Sequence, residues 1–381
     1  MVPYRLSVPA SPRRSLVALA EPPGDRFVAA LERTWSNGDA LLPLDPRAPA
    51  SDRDRVLAAM QPDVGVADDV ALVITTSGST GVPKGAELTR AALEASARAT
   101  MQRIGSTDHD VWLACLPWHH IGGLQVLLRA RLFDTPLVIH EAFDVARVAA
   151  EGSATLLSLV PTQLVRLLDA GADLARFRVI LLGGAAAAPT LLDRAKAAGA
   201  NMVTTYGMSE TCGGCVYDGK PLDGVDVQLS DDGRVMLRGP MLMSRYRLDP
   251  ESTARALVDG WLLTSDIGEI DANGRLVLRG RVDDVVITGG ENVVTTEVAA
   301  RLMAHPAVKE AAVTGVPDPE WGHRLVALVV ATSPPPTLAE LREWCHAALP
   351  AASAPRQLVL VDELPRLSSG KVDRLALADL L

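Results

Sequence analysis

A stretch rich in hydroxyl side chains and glycine, near residue 80, carries groups that could bind phosphate. Residues 75–85 read TTSGSTGVPKG, in which five residues are Ser or Thr and the one basic residue is Lys84. Glycines let the backbone approach a ligand closely, and N–H groups, hydroxyls and the lysine can donate to phosphate oxygens. An apolar run at residues 70–74 predicts a buried strand before the stretch, and residues 89–104 predict a helix after it. We therefore expect a phosphate-binding loop between a strand and a helix.

The spacing of this loop differs from that of a Walker A loop, in which the lysine directly follows the second glycine. Here Lys84 follows Pro83. The plainer alternative is a polar turn between two elements of secondary structure. Lysine is nevertheless a notable choice, since only five of the 37 basic residues of the chain are lysine, and lysine and arginine differ as phosphate partners.

The same stretch and three later segments together resemble the AMP-forming acyl-CoA synthetase and adenylation-domain superfamily. The later segments are YGMSET at residues 206–211, RGRVDDVVITGGEN at residues 279–292 and SSGKVDR at residues 368–374. The resemblance covers roughly residues 70–381, although the chain is shorter at its N-terminal end than most of the superfamily. It implies that a carboxylic acid and ATP give an acyl-adenylate and pyrophosphate, after which coenzyme A gives the thioester and AMP.

The resemblance implies a nucleotide site made from these motifs. Its residues would be Thr76, Ser77, Gly78, Ser79, Thr80, Gly81, Lys84, Gly184, Ala185, Tyr206, Gly207, Ser209, Asp266, Arg281 and Lys371. Tyr206 would stack on the purine, and Asp266 would accept hydrogen bonds from both ribose hydroxyls. Glu210, with Thr80, would hold Mg²⁺, which binds through one or two carboxylates together with substrate phosphates. The plainer alternative for Ser209 and Glu210 is the capped start of a helix.

By the same resemblance, the catalytic residues would be Lys371, Lys84 and His120. Lys371 fits adenylation because its compact charge on a long stem can contact both the carboxylate and the α-phosphate. Residues 116–129 resemble, in particular, the o-succinylbenzoate–CoA ligases of menaquinone synthesis. The acid site would then comprise His120, Arg129, Gly207 and Ser209, with Arg129 paired to a carboxylate of the substrate. The alternatives are a solvated helix face for Arg129 and a structural role for the histidine pair 119–120.

A change of domain is predicted near residue 281. We expect a large AMP-binding domain over residues 1–281 and a small mobile domain over residues 282–381. The resemblance implies that Asp283 is the hinge that absorbs backbone rotation, and that Gly289 and Gly290 approach the thiol of coenzyme A. The alternative for this segment is a charged β-hairpin.

Strands and helices alternate between residues 70 and 206, which predicts an α/β fold with mostly parallel sheets layered with helices. Strands are expected at residues 70–76, 111–116, 136–139, 154–160, 178–182 and 202–206. Ligands bind at the carboxyl ends of such strands, so the loop at 77–83, the turn at 183–186 and residues 206–207 could share one crevice. Residues 222–280 predict a small antiparallel β region, and residues 284–381 an α+β domain.

The bulk composition is that of an ordinary globular protein, with 48% hydrophobic and 22% charged residues. The net charge of −9 does not indicate a nucleic-acid or membrane partner. Cys212 and Cys215 have C-x-x-C spacing, but no second pair completes a zinc site. No signal peptide and no apolar run of 18 residues is evident. We expect a cytoplasmic protein that binds a small acid, ATP and coenzyme A, with a homodimer left open.

Three rival functions remain at this point. The first is another acyl-CoA or aryl-CoA synthetase with the same mechanism, and the second is a standalone adenylation domain that loads a carrier protein. The third belongs to a different class: a nucleotide-binding sensor that has lost catalysis. The joint presence of Lys84, Glu210, Asp266 and Lys371 favours an enzyme over the sensor.

Overall fold

The computed structural model describes residues 14–76, 83–366, 372–374 and 376–381. The chain divides into two compact units. Unit 1 is drawn from residues 14–184, 198–226 and 238–262, and unit 2 from residues 185–197, 227–237 and 263–381. The two-domain boundary expected near residue 281 stays a prediction.

The strands have the following bounds. They are β1 Leu16–Leu19, β2 Ala40–Pro43, β3 Val70–Thr76, β4 Lys84–Thr89, β5 Trp112–Ala114, β6 Leu137–Ile139, β7 Leu156–Leu159, β8 Val179–Leu182, β9 Met202–Met208, β10 Gly213–Tyr217, β11 Lys220–Pro221, β12 Asp226–Leu229, β13 Arg234–Arg238, β14 Arg245–Tyr246, β15 Leu257–Val258, β16 Trp261–Ile270, β17 Leu276–Arg281, β18 Val285–Thr288, β19 Glu291–Val294, β20 Val308–Asp318, β21 Gly322–Ala331 and β22 Gln357–Leu360.

The helices are shorter than a membrane span requires. They are α1 Asp25–Ser36, α2 Ala50–Met60, α3 Arg90–Arg103, α4 Ile121–Leu132, α5 Val145–Ala150, α6 Pro161–Asp169, α7 Pro189–Ala197, α8 Pro250–Ala256, α9 Thr295–Met303 and α10 Leu338–His346. Short 3₁₀ turns lie at Ser209–Thr211, Val282–Asp284, Ala351–Ser353 and Ala376–Leu380. In the part of the chain that the structure describes, no helix has the length and apolar character needed to cross a bilayer.

The first sheet of unit 1 has the strand order β1-β2-β3-β4-β14. Strands β1, β2 and β3 are parallel, whereas β4 runs antiparallel to β3 and places Lys84 opposite Thr76. The prediction that the hydroxyl-rich loop leads directly into a helix is therefore wrong, because β4 lies between them. The four central residues of β4 are buried, and pairing with β3 satisfies backbone groups that water cannot reach.

The second sheet of unit 1 has the order β11-β10-β9-β8-β7-β5-β6. Its strands β9, β8, β7, β5 and β6 are parallel, and β10 and β11 continue it antiparallel. The predicted alternation of strand and helix is confirmed here. Strand β3 belongs to the first sheet instead, where it pairs with β2 and β4 on its two sides. Strand β9 also runs two residues further than predicted, so Gly207 and Met208 lie within the strand as well.

Unit 2 contains the expected mixture of small sheets and helices. Strand β17 pairs antiparallel with the end of β16, β18 pairs with β19, and a three-stranded sheet has the order β20-β21-β22. Val298 and Leu302 of α9 lie in one buried cluster with Leu325 and Val329 of β21 and Leu341 of α10. This arrangement confirms the α+β prediction for residues 284–381.

A buried ion pair fixes β14 to β4 in unit 1. Glu87 of β4 and Arg247, one residue after β14, are each 3% exposed, and their Oε1 and Nη1 atoms lie 3.2 Å apart. Arg247 also donates to the carbonyl oxygens of Met60, Gln61 and Val64. Its charge is therefore well compensated, and the segment that begins with β14 is held firmly against the first sheet.

We predict that Arg247→Met lowers the free energy of unfolding by about 3–5 kcal/mol, because it leaves the Glu87 carboxylate buried without its partner. Urea denaturation followed by tryptophan fluorescence measures the change. Arg55→Met is the matched control, since Arg55 pairs with Asp52 on the exposed face of α2 and such pairs contribute at most about 1 kcal/mol. A loss below about 1 kcal/mol for Arg247→Met would contradict the structural role of the buried pair.

Candidate functional site

Lys84 begins β4, and its ammonium contacts two side chains of the described residues. Thr76, opposite Lys84, donates through its hydroxyl to the Lys84 carbonyl oxygen at 3.5 Å. The Lys84 ammonium donates to Ser252 Oγ at 2.8 Å and lies 5.3 Å from the ring centroid of Tyr246. An ammonium has three N–H donors, and the ring face attracts it without using one. Two donors therefore remain unused by the described residues and could bind phosphate oxygens.

Glu210 is joined to Lys84 through Tyr246. Glu210 lies in the 3₁₀ turn that follows β9, and its Oε1 accepts a hydrogen bond from the Tyr246 hydroxyl at 2.7 Å. Thr211 closes this turn, because its hydroxyl accepts from the Met208 N–H and donates to the Gly213 carbonyl oxygen. One aromatic side chain thus contacts both the expected phosphate-binding lysine and the expected metal ligand.

Tyr246 and Ser252 are site residues that the sequence analysis misses. The pair Asp249-Pro250 signals a helix start, because Asp is a good N-cap and Pro suits the first helical position. The Asp249 side chain does accept from the Ser252 N–H at 2.8 Å. This signal locates α8 but says nothing about what its first turn contacts, since Lys84 is far away in the sequence.

The surroundings of Glu210 fit a magnesium ion bound together with a nucleotide. Mg²⁺ uses one or two carboxylates, substrate phosphates and water. The second carboxylate oxygen of Glu210 accepts no hydrogen bond from the residues that the structure describes, so it is available as a ligand. Across the described ranges no cluster of three His, Cys, Asp or Glu residues could hold a metal by itself. A metal ion that takes some of its ligands from substrate phosphates needs no such cluster of protein side chains.

The strand residues that precede Glu210 approach β10 very closely. Gly207 pairs with Gly214, and a Cβ atom at Gly207 would lie 2.0 Å from the Gly213 carbonyl oxygen, so only glycine fits there. Ser209 begins the 3₁₀ turn instead of capping a longer helix. Gly184 follows β8 with a φ of +80°, a conformation that favours glycine. The predicted nucleotide contacts of Tyr206, Gly207 and Ser209 remain predictions.

The two neighbouring histidines lie at the start of α4. Their ring centroids are 4.3 Å apart, and His119 Nε2 lies 3.8 Å from Asp45 Oδ2. Burial lowers the pKa of His119 below its ordinary value, and although the Asp45 charge opposes this, the Arg47 charge adds to it. His119 is therefore neutral near pH 7 and supports the ring of His120, which is exposed at the N-cap position.

Arg129 is buried on α4, so the alternative of a solvated helix face is wrong. It is 4% exposed, and its guanidinium carbon lies 5.6 Å from the ring centroid of Trp112. Its Nε atom has no hydrogen-bond partner, and among the described residues no carboxylate forms an ion pair with it. Burial lowers its pKa, which the nearby Tyr217 opposes. A buried cation without a protein carboxylate is suited to bind one from a substrate.

In unit 2 the structure brings together two of the predicted nucleotide-site residues. Asp266 of β16 is paired in register with Arg281 of β17, and Arg281 Nη1 donates to Asp266 Oδ1 at 3.1 Å. The Asp266 N–H donates to Thr264 Oγ1 at 3.0 Å. Ala185, also in unit 2, is exposed. The carboxylate and guanidinium therefore form one polar pair, and their contacts with a nucleotide stay predictions.

The predicted hinge lies beside a buried ion pair. Asp283 is exposed in the 3₁₀ turn Val282–Asp284, whereas Asp284 is 2% exposed and pairs with Arg374. Gly289 and Gly290 form the two-residue turn between β18 and β19, with φ values of +60° and +83°. Such a turn requires positive φ at both positions, so the hairpin alternative is confirmed and explains both glycines. Their approach to coenzyme A and the hinge role of Asp283 stay predictions.

Six predicted residues lie outside the described residues. They are Ser77, Gly78, Ser79, Thr80, Gly81 and Lys371. The described ends of the segment that contains Lys371 are paired, since Arg366 and Val372 form an antiparallel bridge. The Asp373 N–H also donates to the Pro365 carbonyl oxygen at 2.8 Å.

Comparison with known proteins gives consistent matches over most of the chain. The AMP-binding enzyme family model matches residues 40–247, and the AMP-binding enzyme C-terminal domain model matches residues 297–371. A Mycobacterium tuberculosis protein named a probable 2-succinylbenzoate–CoA ligase is 42% identical over 366 residues, which is 92% of this chain and 94% of the relative.

Two solved structures of o-succinylbenzoate CoA synthetase from Bacillus subtilis have the same fold. The complex with the acyl-adenylate intermediate gives a TM-score of 0.87 at 28% identity and covers 96% of this chain and 88% of that chain. The complex with ATP and a magnesium ion gives a TM-score of 0.87 at 27% identity, with coverage of 97% and 90%. On the strength of the matched models, the 42% identity and a site that joins Lys84 to Glu210, the chain belongs to the AMP-binding enzymes, a family of AMP-forming ligases.

Proposed function

We propose that this chain is an ATP-dependent acid–CoA ligase that converts 2-succinylbenzoate to its coenzyme A thioester, a step of menaquinone biosynthesis. The observation that carries the proposal is the contact of Tyr246 with both Lys84 and Glu210. It gives one site a phosphate-binding cation and a carboxylate for Mg²⁺. The acid is proposed from the names of the Mycobacterium tuberculosis and Bacillus subtilis relatives.

In the first step, a carboxylate oxygen of the acid attacks the α-phosphorus of ATP, and the bond to the β-phosphate breaks to release pyrophosphate. Lys84 donates to phosphate oxygens, and Glu210 holds Mg²⁺, which neutralises phosphate charge. Lys371 supplies a second cation to the carboxylate and the α-phosphate. The Asp266–Arg281 pair contacts the ribose, with the carboxylate accepting from its hydroxyls.

In the second step, the thiol of coenzyme A attacks the carbonyl carbon of the acyl-adenylate, and AMP leaves with the former carboxylate oxygen. The acid and the thiol reach the same carbon at different stages, which favours a small domain that presents different residues in turn. Asp283 is exposed in a short turn between β17 and β18. We assign the hinge to this residue.

The acid site is proposed around Arg129 and His120, with Gly207 and Ser209 at its nucleotide end. 2-Succinylbenzoate carries two carboxylates, of which one reacts and the other needs a partner. Arg129 is a buried cation for which the described residues provide no carboxylate. Its planar guanidinium can bind a carboxylate through two parallel hydrogen bonds. His120, exposed at the start of the same helix, is proposed to lie at the entrance of this acid site.

A panel of carboxylic acids, supplied with ATP, Mg²⁺ and coenzyme A, tests the function. We expect thioester and pyrophosphate to form fastest with 2-succinylbenzoate, at least tenfold above benzoate or acetate. A preference for another acid would favour a different acyl-CoA or aryl-CoA synthetase. Transfer to a holo-carrier protein but not to coenzyme A would favour a standalone adenylation domain. Absence of acid-dependent ATP–pyrophosphate exchange would favour a nucleotide sensor.

We predict that Lys371→Ala lowers the rate of acyl-adenylate formation by about 100-fold or more, the loss expected when one charge on the transition state is removed. Thioester formation from a premade acyl-adenylate should stay within about threefold of wild type, because Lys371 is assigned to the first step alone. Lys309→Ala, at an exposed position of β20, is the control. Equal losses in the two half-reactions would contradict the role of Lys371.

We predict that Arg129→Met raises KM for 2-succinylbenzoate by about 10- to 100-fold, which corresponds to the loss of a charged hydrogen bond. KM for ATP should change little. Arg131→Met is the matched control, because Arg131 is on the same helix but is exposed and pairs with Glu32. Steady-state kinetics with each substrate varied in turn provides the measurement, and an unchanged KM for the acid would remove Arg129 from the acid site.

The proposed function also suggests where the protein acts, and its assembly state can be tested separately. A ligase whose substrates are ATP, coenzyme A and a small acid is expected in the cytoplasm, where those nucleotides are made. A homodimer stays a prediction, and size-exclusion chromatography with light scattering would test it.

A further inference from the structure

The segment of residues 243–256 contacts the site at several points, although none of the recognised motifs includes it. It contains β14 and α8, and it lies between the segments that supply Glu210 and Asp266. The Met243 N–H donates to the Glu210 carbonyl oxygen at 2.8 Å, and the Tyr246 hydroxyl donates to the Glu210 carboxylate at 2.7 Å. Both the backbone and the side chain of Glu210 are thus held from this one segment.

The hydrogen bond to Glu210 occupies one of its two carboxylate oxygens and leaves the other available as a metal ligand. Tyr246 uses Oε1, while Oε2 accepts nothing from the described part of the chain. A carboxylate that is fixed through one oxygen presents the other oxygen in a defined direction. Hydrogen bonds from neighbouring residues commonly orient metal ligands in this way. Without the hydroxyl, the Glu210 side chain could rotate among its rotamers, and binding would have to restrict it.

Tyr246 is itself fixed, which lets it act as a rigid spacer. It pairs with Ala86 across β14 and β4, and its N–H donates to Thr253 Oγ1 at 2.9 Å. Its ring lies beneath the Lys84 ammonium, 5.3 Å from the ring centroid. The ring face thus contacts the cation while the hydroxyl contacts the carboxylate, and no ion pair joins Lys84 to Glu210 among the described residues.

The first turn of α8 restrains Lys84 from its other side. Ser252 Oγ accepts from the Lys84 ammonium, and Ser252 N–H donates to Asp249 Oδ1. The pKa of the Asp249 carboxyl lies below its ordinary value, chiefly because Ser252 donates hydrogen bonds to it, with the Lys84 and Arg255 charges adding to the effect. Asp249 thus holds the first turn of α8 through Ser252, whose hydroxyl in turn contacts the Lys84 ammonium.

We propose that Tyr246 is a positioning residue that orients the Glu210 carboxylate for the magnesium ion of bound Mg·ATP. This inference rests on the proposed function, because it needs a nucleotide to bind at Lys84 and Glu210. It assigns Tyr246 no contact with the reacting atoms. The role proposed for the hydroxyl acts through Glu210, so its loss is expected to affect binding chiefly where the metal is present and Glu210 is intact.

Tyr246→Phe removes the hydroxyl and keeps the ring. We expect it to weaken Mg·ATP binding about three- to tenfold, less than for loss of a direct charged hydrogen bond to the ligand, because the hydroxyl acts only by restricting the rotamers of Glu210. Binding of ATP in the presence of EDTA should stay within about twofold of wild type. Isothermal titration calorimetry on the full chain measures both, and it requires no turnover. In a Glu210→Gln background, Tyr246→Phe should have no further effect on Mg·ATP binding, because the carboxylate it orients is gone.

Tyr217→Phe is the matched control. The Tyr217 hydroxyl is also buried and hydrogen-bonded, to Thr100 Oγ1 at 2.9 Å, but it contacts neither Glu210 nor Lys84. We expect its ratio of Mg·ATP affinity to ATP affinity to equal that of wild type. Circular dichroism and thermal unfolding verify that each variant is folded.

The outcomes separate this inference from the proposed function. Equal weakening of ATP binding with and without Mg²⁺ in Tyr246→Phe, or additive effects of the two substitutions, would overturn the positioning role. So would Mg·ATP binding that is unchanged in Tyr246→Phe while wild type binds it. A wild-type protein that binds no Mg·ATP would overturn both this role and the proposed function.

Discussion

The hydrogen bond from Tyr246 to Glu210 joins the two sheets of unit 1 at the point where the nucleotide is proposed to bind. Tyr246 belongs to the first sheet through β14, and Glu210 follows β9 of the second. A bond to an ionised carboxylate is stronger than one between neutral groups, and the same aromatic ring lies against Lys84. The spacing between the cation and the carboxylate is therefore set by one rigid side chain. Substrate phosphates can be aligned only if that spacing is fixed in advance.

The packing around β4 and β14 supports this contact. Glu87 and Arg247 are buried together, and Arg247 also donates to backbone oxygens beyond α2. A buried charge with complete partners resists displacement, because moving either group would leave a charge without compensation. Because this pair holds β4 and β14 together, it also restrains Lys84 at one end of β4 and Tyr246 in β14. The polar site thus depends on a charged pair that never contacts a substrate.

The sequence predicts local elements better than their long-range partners. Periodicity and turn residues locate nearly every strand and helix of residues 111–206, and the resemblance of the motifs to a known family singles out Lys84 and Glu210. The hairpin that brings β4 back along β3 is missed, because the burial of residues 85–88 on both faces depends on distant neighbours. Tyr246 and Ser252 are missed for the same reason. The burial of Arg129 is likewise decided by how α4 packs, since an arginine on a helix is otherwise expected at the surface.

The most direct test is to label the carboxylate oxygens of the acid and to find which product carries the label. If the acid is activated as an acyl-adenylate, one carboxylate oxygen becomes the bridge to the α-phosphorus and stays on AMP when coenzyme A attacks the carbonyl carbon. We predict that 2-succinylbenzoate labelled with ¹⁸O in its carboxylates, turned over with ATP and coenzyme A, gives AMP that carries one ¹⁸O atom while pyrophosphate carries none. Unlabelled AMP, or label in inorganic phosphate, would contradict the account.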